Sequence, residues 1–219
     1  MVGALSARLS MQAQQSSAAI GLAVAPAGCS NPAEYTLLSS SWTSSYDWWY
    51  RTASAPSGAS LTRIQSAIST ASDGQNRCGL SIWNNSSANY MGVLGGSLTN
   101  DSSGGCGTFG GDLTHSQVGW GILPTATLAT TCTFGYGISF DVDTMFNTNY
   151  SWYSGANASS CPSGSYDLQG VATHEAGHAF GLGHVGLTSA QVMKPKAPSC
   201  DATQRLLGIG DATGMQALY

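Results

Sequence analysis

Three of the four histidines in this 219-residue chain lie in one segment, HEAGHAFGLGH at 174–184. If the segment begins as a helix, His174 and His178 are four residues apart, lie on one face and can offer two imidazole nitrogens to one ion. Glu175 is rotated by about 100° from His174. It would lie beside the ion without being a ligand, as a general base for a bound water does. The spacing therefore predicts a metal site with a base next to it.

A third ligand requires the helix to end and the chain to turn back. Gly181 can adopt the left-handed conformation that ends helices, and Gly183 eases the same turn. His184 then reaches the ion held by the two helical histidines. Three nitrogen ligands leave the fourth position of a tetrahedral zinc ion open to water or substrate, which is typical of catalytic sites. We therefore expect one Zn²⁺ and a water activated by Glu175.

The complete pattern HExxHxxGxxH resembles the zinc signature of the metzincin metalloproteases. That family also has a tight turn with a methionine beneath the metal, and Met193 in VMKP, nine residues after His184, matches it. The segments FDVDTMFNTNYSW, YDLQGVATHEAGHAFGLGH and GDATGMQALY are most similar to the matrixins and their secreted bacterial relatives. The resemblance is sharp over 137–219 and weak before it.

The resemblance implies an α+β fold of the metzincin or zincin type. Its twisted mixed sheet would carry an active-site helix and a C-terminal helix, with a cleft between upper and lower subdomains. Residues 31–219 would form the catalytic domain, the upper subdomain reaching about 184 and the lower, 185–219, holding the Met-turn. Residues 1–30, small and polar, are predicted to be a poorly ordered leader or propeptide remnant. The implied activity is that of a secreted endopeptidase that hydrolyses peptide bonds in proteins and binds them along an edge strand.

Some positions depart from the family pattern. Pro195 stands where the astacin- and serralysin-like metzincins have a tyrosine that can approach the metal, so no tyrosine ligand is expected. Only His115 remains outside the motif, too few for the second, structural zinc site of vertebrate matrixins. Cys29 could be a latency cysteine, but its surroundings do not match, and a disulfide is the better interpretation.

Calcium is a further possibility implied by the resemblance. Asp141 and Asp143 flank Val142 on a predicted strand, so both carboxylates would face one side. Solvated or hydrogen-bonding carboxylates are the simpler interpretation of each. Calcium ligation by Asp141 and Asp143 is therefore stated as an expectation only.

Composition excludes some classes of function. Charged residues make up 8% of the chain and the net charge is −4, without the basic stripe that nucleic-acid binding needs. No apolar run approaches the ~20 residues that span a bilayer. We expect a secreted, extracellular monomer that acts on protein or peptide substrates and binds neither nucleic acid nor membrane.

Six cysteines are spread along the chain without a CxxC pair. This predicts up to three disulfides in an oxidising compartment, and the sequence does not choose among the possible pairings. The cysteines are Cys29, Cys78, Cys106, Cys132, Cys161 and Cys200.

The elements that must position the site follow from apolar periodicity. Steps of three and four predict helices over 61–72, with Ser60 as N-cap, over 167–180 and over 212–219. Strands are predicted for 35–38, 46–51, 80–83, 118–123 and 135–142. The region 84–111, rich in Gly, Ser and Asn, fits loops or a poorly paired strand.

Two rival functions remain open. Six Trp and nine Tyr would suit a secreted non-catalytic module that binds carbohydrate or protein, although Trp48, Trp49 and Trp83 fall in predicted strands where packing explains them. A binding module would have no chemical need of Glu175. The second rival is a zinc hydrolase that acts on a non-peptide amide.

Overall fold

The fold is organised around one mixed sheet of seven strands with helices packed on it. This computed structural model describes residues 6–14, 27–82, 84–96, 98–107, 114–136 and 139–219. The strands are β1 Ser6–Gln14, β2 Thr36–Leu37, β3 Tyr46–Tyr50, β4 Ala88–Val93, β5 Ser116–Gly121, β6 Thr127–Tyr136, β7 Ser139–Asn147, β8 Trp152–Tyr153, β9 Tyr166–Asp167, β10 Leu182–Gly183 and β11 Lys196–Pro198. The helices are α1 Leu61–Ser72, α2 Leu168–Phe180 and α3 Ile209–Leu218, with 3-10 helices at Ala158–Ser160 and Ala202–Arg205.

The strand order of the large sheet is β11-β1-β6-β7-β5-β3-β4. The pairs β1–β6 and β6–β7 are antiparallel, and every other neighbouring pair is parallel. Two short strand pairs contain the strands that come directly before and after α2 in the chain. The pair β8–β9 is parallel, and the pair β10–β2 is antiparallel. The predicted α+β fold with a mixed sheet is compatible with this arrangement.

Local sequence explains the elements that form the core. In β3, written YDWWY, Tyr46, Trp48 and Tyr50 alternate with less buried neighbours and point into the core. In α1, Ile64 and Ile68 lie on the buried face, as the helical period requires. Trp48 is 2% exposed, so packing accounts for it. The helices α1 and α2 pack against each other.

The helix α2 is buried along almost its whole length. It packs against α1, β6 and β1. Asp167 caps its N-terminus, with a side-chain oxygen that accepts from the backbone N–H of Gly170 at 2.8 Å. A cap of this kind contributes roughly 1 kcal/mol. The helix that carries the histidines is therefore held in place from several sides.

Arg205 fixes the same helix end from outside. Its Nε donates to both carboxylate oxygens of Asp167 at 3.0 Å, and its terminal nitrogens donate to the carbonyls of Ala156 at 2.8 Å and Gly155 at 2.7 Å. Asp167 is only 3% exposed, so this pair is shielded from water.

Replacing Arg205 by alanine is expected to lower the free energy of unfolding by about 3 kcal/mol, because it leaves the Asp167 carboxylate buried without its cation. Urea unfolding of both proteins measures the difference. Arg205→Lys keeps the charge but loses the planar fork, so it should recover only part of the loss. Equal stability of the alanine variant and the parent would contradict this account.

All six cysteines form disulfides, as three pairs: Cys29–Cys78, Cys106–Cys132 and Cys161–Cys200. The prediction of up to three disulfides is confirmed. Each closes a loop of tens of residues, worth about 3–4 kcal/mol in the chain-entropy model. The second pair joins the loop before β5 to β6. Cys29 is bonded to Cys78, so its sulfur is not available as a latency thiolate.

Several predicted elements are confirmed within a residue or two, and others are wrong. The helices over 61–72 and 167–180 are α1 and α2, and the strands over 35–38 and 46–51 are β2 and β3. The predicted strand 135–142 spans the end of β6 and the start of β7, around positions 137–138 outside the described residues. Residues 80–82 are irregular, and Trp83 lies outside the described residues. The region 84–111 contains β4, which pairs with β3.

The segment predicted to be a leader also contributes to the sheet. Of residues 1–30, residues 6–14 form β1, between β6 and β11, and residues 27–30 precede the first strand of the core. Residues 1–5 and 15–26 lie outside the described part. The division into a leader over 1–30 and a catalytic domain over 31–219 stays a prediction.

Candidate metal centre

The three motif histidines converge at the C-terminal half of α2. His174 and His178 lie on the helix, and His184 follows β10. The Nε2 atom of His184 is 3.2 Å from that of His174 and 3.0 Å from that of His178. Within the described part of the chain, these three side chains form the group whose ligand atoms are close enough together to hold a metal ion. The ring of His184 therefore lies next to the rings of the two helical histidines, and the role of the three as ligands of one ion stays a prediction.

Gly181 makes the return possible. It ends α2 with φ 104°, in the left-handed region, and its N–H bonds to the carbonyls of Gly177 and His178. A Cβ at this position would collide with the carbonyl oxygen of Ser40. The carbonyl of Gly181 accepts from Leu38 at 2.7 Å, and β10 then pairs with β2, which carries the chain to His184.

Backbone carbonyls set the tautomers of the two helical histidines. His174 Nδ1 lies 2.7 Å from the carbonyl of Val192, and His178 Nδ1 lies 2.8 Å from that of Leu182. If each Nδ1 carries the proton and donates it, each Nε2 presents a lone pair, as metal-binding histidines do. Burial lowers the pKa of His174 to about 3, that of His178 well below its usual range and that of His184 as well. Neutral imidazoles are the form that binds a metal.

The donor set fits a zinc ion. Two nitrogens bound to zinc at about 2.0–2.1 Å with a tetrahedral angle between them would be ~3.3 Å apart. The observed separations of 3.0 and 3.2 Å are close to this value. Three lone pairs that face one point repel each other unless a cation lies between them. The group found among the described residues consists of three imidazoles, which is the donor set of many catalytic zinc sites.

Glu175 is fully buried next to these histidines. Its Oε2 accepts from Thr131 Oγ1 at 2.6 Å, whereas its Oε1 has no hydrogen bond of good geometry. Without a cation, burial raises the pKa of Glu175 to about 8, while the Thr131 hydroxyl and the backbone amide of Met11 lower it. A carboxylate with one oxygen fixed and the other orphaned is well placed to hold a water and take its proton.

Met193 lies in a buried turn beneath α2 and is 1% exposed. A Cβ on Gly177 would collide with its sulfur, so the glycine permits the close approach of turn and helix. The carbonyl of Met193 accepts from Val185 at 3.1 Å, which connects the turn to the residue after His184. The position of Met193 under the site agrees with the predicted supporting role of this residue, which remains a proposal.

Asp211 holds this turn. Its buried carboxylate accepts from the backbone N–H groups of Val192 at 2.7 Å, Met193 at 3.2 Å and Gly208 at 2.9 Å. The carbonyl of Val192 in turn fixes the ring of His174. One carboxylate in α3 therefore orients a histidine on α2 through the intervening turn.

Asp211→Asn is expected to weaken zinc binding about 10-fold, the usual effect of losing a group that orients a ligand. It should also lower the free energy of unfolding by about 2 kcal/mol, because the amide nitrogen would face backbone N–H groups. Competition with a chromogenic chelator and urea unfolding measure the two effects. Asp73→Asn, at an exposed position, is the matched control and should change neither. Unchanged zinc affinity in Asp211→Asn would remove the residue from this role.

The other sequence candidates have different surroundings. The carboxylate of Asp143 accepts from Thr99 N at 2.6 Å, Thr99 Oγ1 at 2.7 Å and Gln117 N at 2.9 Å, so protein donors already satisfy it. Asp141 is buried on the same strand and lies, with Asp143, within electrostatic reach of Tyr46. Calcium ligation by Asp141 and Asp143 stays a prediction. His115 contacts the ring of Trp49 and Thr114 Oγ1, and it does not belong to the histidine group.

Sequence reasoning missed two residues that touch or support the site. Thr131 lies in β6, whose residues 127–133 were not predicted as a strand. Asp211 lay in the GDATGMQALY segment, but nothing local to it indicates a contact with the turn at 192–193. For both, the contact partner is distant in sequence, and only the three-dimensional structure reveals it.

A comparison with protein families gives one match. The family model described as matrixin matches residues 123–219, which include β6, β7, α2, the Met193 turn and α3. This part of the chain is similar to the matrixins. No curated protein matches the chain significantly. The match lends independent support to zinc as the metal and to a metallopeptidase as the enzyme class.

Proposed function

We propose that this chain is a secreted zinc-dependent endopeptidase that cleaves proteins. The observation that carries the proposal is the convergence of three histidine Nε2 atoms beside the buried carboxylate of Glu175. The Nε2 atom of His184 lies 3.2 Å from that of His174 and 3.0 Å from that of His178. His174, His178 and His184 would hold the ion. The matrixin match supports the same class of reaction.

The chain's own residues divide the chemistry among them. A zinc ion at the three histidines would polarise the scissile carbonyl and lower the pKa of the attacking water. Glu175 accepts the proton of this water on its orphaned oxygen and passes it to the nitrogen of the leaving amine. Thr131 holds the other oxygen, so that the carboxylate keeps one orientation through both transfers. Burial excludes competing water from this base.

The location proposed for the protein rests on its disulfides. Three disulfides fit an oxidising compartment, and we propose secretion on this basis. Among the helices of the described residues, none combines the length and the apolar character needed to cross a membrane. Protein or peptide substrates are proposed from the similarity to the matrixins, and the monomeric state stays a prediction.

One experiment separates the proposal from its rivals. Purified protein is analysed for metal and incubated with casein and with a library of small amides, with and without a chelator. One zinc per chain, together with chelator-sensitive cleavage of casein that zinc restores, is expected. Cleavage of small amides alone would favour a non-peptide hydrolase. Stoichiometric zinc without any cleavage would favour a binding module.

A further inference from the structure

The strand β1 lies between β6 and β11 in the sheet. Its residues 6–12 pair antiparallel with β6, from Ser6 opposite Phe134 to Met11 opposite Ala129 and, after a register shift, Gln12 opposite Thr127. Its residues 12–14 pair parallel with β11, from Gln12 opposite Lys196 to Gln14 opposite Pro198. The backbone N–H of Gln12 donates to the carbonyl of Pro195 at 3.0 Å. An extended segment thus runs from the sheet onto the loop that follows Met193.

The pairing of β1 with β11 begins next to the proposed metal site. The ladder with β6 shifts register between Met11 and Gln12, just before pairing with β11 begins. At this point β1 packs against α2, and the backbone amide of Met11 faces the carboxylate of Glu175. β6 also carries Thr131, whose hydroxyl bonds to the same carboxylate. Of the peptide bonds in β1, these contacts identify the bond between Ser10 and Met11 as the one next to Glu175, the proposed general base.

The burial of side chains on β1 supports the same position for the bond that would be cut. Met11 is 0% exposed and belongs to the apolar cluster that also contains Val171 of α2 and Ala197 of β11. Gln12, one residue later, is exposed. A single apolar side chain is therefore buried directly after the bond in question, as a specificity residue would be.

The slot that β1 fills has the properties of a peptide-binding site. Without β1, β6 and β11 would each present a row of unpaired backbone groups on either side of α2. Such edges bind extended peptides by strand addition, with main-chain hydrogen bonds for affinity and side-chain pockets for specificity. A substrate protein of the proposed peptidase would need the same backbone partners. Substrate and β1 therefore exclude each other.

We infer that residues 6–14 occupy the substrate slot as an intramolecular substrate, and that the protein cleaves its own Ser10–Met11 bond. The inference rests on the proposed function. Until the cut, the segment blocks other substrates. A cysteine cannot provide this block, because all six are paired in disulfides.

The cleavage consumes one water molecule. Its oxygen forms a bond to the carbonyl carbon of Ser10, the bond from this carbon to the nitrogen of Met11 breaks, and Glu175 carries a proton from the water to that nitrogen. The second proton of the water also ends on this nitrogen, so the products are a carboxylate at Ser10 and an ammonium group at Met11. After the cut, the residues up to Ser10 remain bound only through their ladder with β6, so they can dissociate and expose it.

The first arm of the test needs no variant in the segment. Zinc-loaded wild-type protein is incubated at several concentrations and followed by intact-mass analysis and N-terminal sequencing, with Glu175→Gln as the uncut reference. A new N-terminus beginning Met11-Gln12-Ala13 is expected, and the fraction of chains cut per unit time should not depend on protein concentration. A fraction cut per unit time that rises in proportion to concentration, or a cut elsewhere only, would overturn the intramolecular assignment.

The second arm measures occupancy without catalysis. In the Glu175→Gln background, Met11→Asp places a charge in the buried position, and Gln12→Asp places the same charge on the exposed neighbour as a matched control. A fluorescent peptide SARLSMQAQ is titrated against both zinc-loaded proteins. Because the apparent dissociation constant equals the intrinsic one divided by the fraction of open slots, an occupied slot weakens peptide binding, and the Met11→Asp protein should bind the peptide at least about 10-fold more tightly than the control. Equal binding by the two proteins would overturn the occupancy.

Hydrogen exchange covers the case in which Met11→Asp does not fold. In the Glu175→Gln protein of otherwise unaltered sequence, those amides of residues 129–134 that face β1 should be protected. In a second Glu175→Gln protein with a protease site inserted after residue 14, removal of residues 6–14 should release these amides, whereas the amides that face β7 stay protected. Unchanged exchange would contradict the pairing. Wild-type protein that digests casein but keeps its Ser10–Met11 bond overturns the self-cleavage alone. Protein that cleaves neither refutes the proposed function, and the peptide titration then decides the occupancy by itself.

Discussion

Glu175→Gln is expected to lower kcat for casein or a peptide substrate by about 10³–10⁴-fold, while the protein keeps its fold and one zinc per chain. The amide has nearly the same shape as the carboxylate, but it cannot accept the proton of the attacking water, and general-base catalysis of this kind contributes factors of that size. Metal analysis, circular dichroism and steady-state kinetics on the same preparation test the three parts together.

Thr131→Val serves as the control for this substitution. It removes the hydroxyl that donates to Glu175 Oε2 at 2.6 Å without removing the base. We expect a loss of about 10-fold in kcat, the effect of one hydrogen bond to a charged group. Retained turnover in Glu175→Gln would assign the base to another residue. A loss in Thr131→Val as large as that in Glu175→Gln would mean that burial and packing, and not proton transfer, dominate both effects.

His184→Ala is expected to weaken zinc binding by at least about 100-fold. The two remaining histidines would leave the ion with two open positions, one more than a catalytic zinc site provides. Its effect should exceed that of Asp211→Asn, because a ligand itself is lost and not a group that orients one. Chelator competition and metal content after dialysis give the measurement.

His115→Ala is the matched control, because it removes the one histidine that lies outside the metal group and contacts Trp49 instead. Its zinc affinity should equal that of the parent. If His184→Ala retained stoichiometric zinc against a competing chelator, the third ligand would be a different residue and the catalytic assignment would lose its basis.

The metal centre could be predicted from sequence because its determinants are local. His174, Glu175 and His178 share one helical turn, and Gly181 ends the helix by its own conformational freedom. The distance from the glycine to His184 is short, so the turn has few alternatives. The same holds for α1, where the apolar positions repeat at the helical period over 61–72.

The strands around the site were harder to predict, because their residues do not carry a local signal. The sequence TLATTCTFGY of β6 contains buried threonines and no regular alternation of apolar and polar residues. Its assignment depends on pairing with β1, more than a hundred residues earlier in the chain, and with β7. β1 is itself small and polar, so composition favoured a leader over a strand. Pairing between distant segments decides both cases.

The disulfide between Cys29 and Cys78 has a consequence for any chain cut after Ser10. The new amino terminus at Met11 would remain attached to the protein by its own backbone, and the disulfide anchors this tether at Cys29, so residues 12–14 stay close to β11. A tether of this length keeps a peptide at an effective concentration on the order of millimolar. Dilution would not remove residues 11–14, so even weak affinity for β11 would keep the β11 side of the substrate slot occupied. Full access would require a second cut between residue 14 and Cys29, after which the disulfide would anchor the new amino terminus.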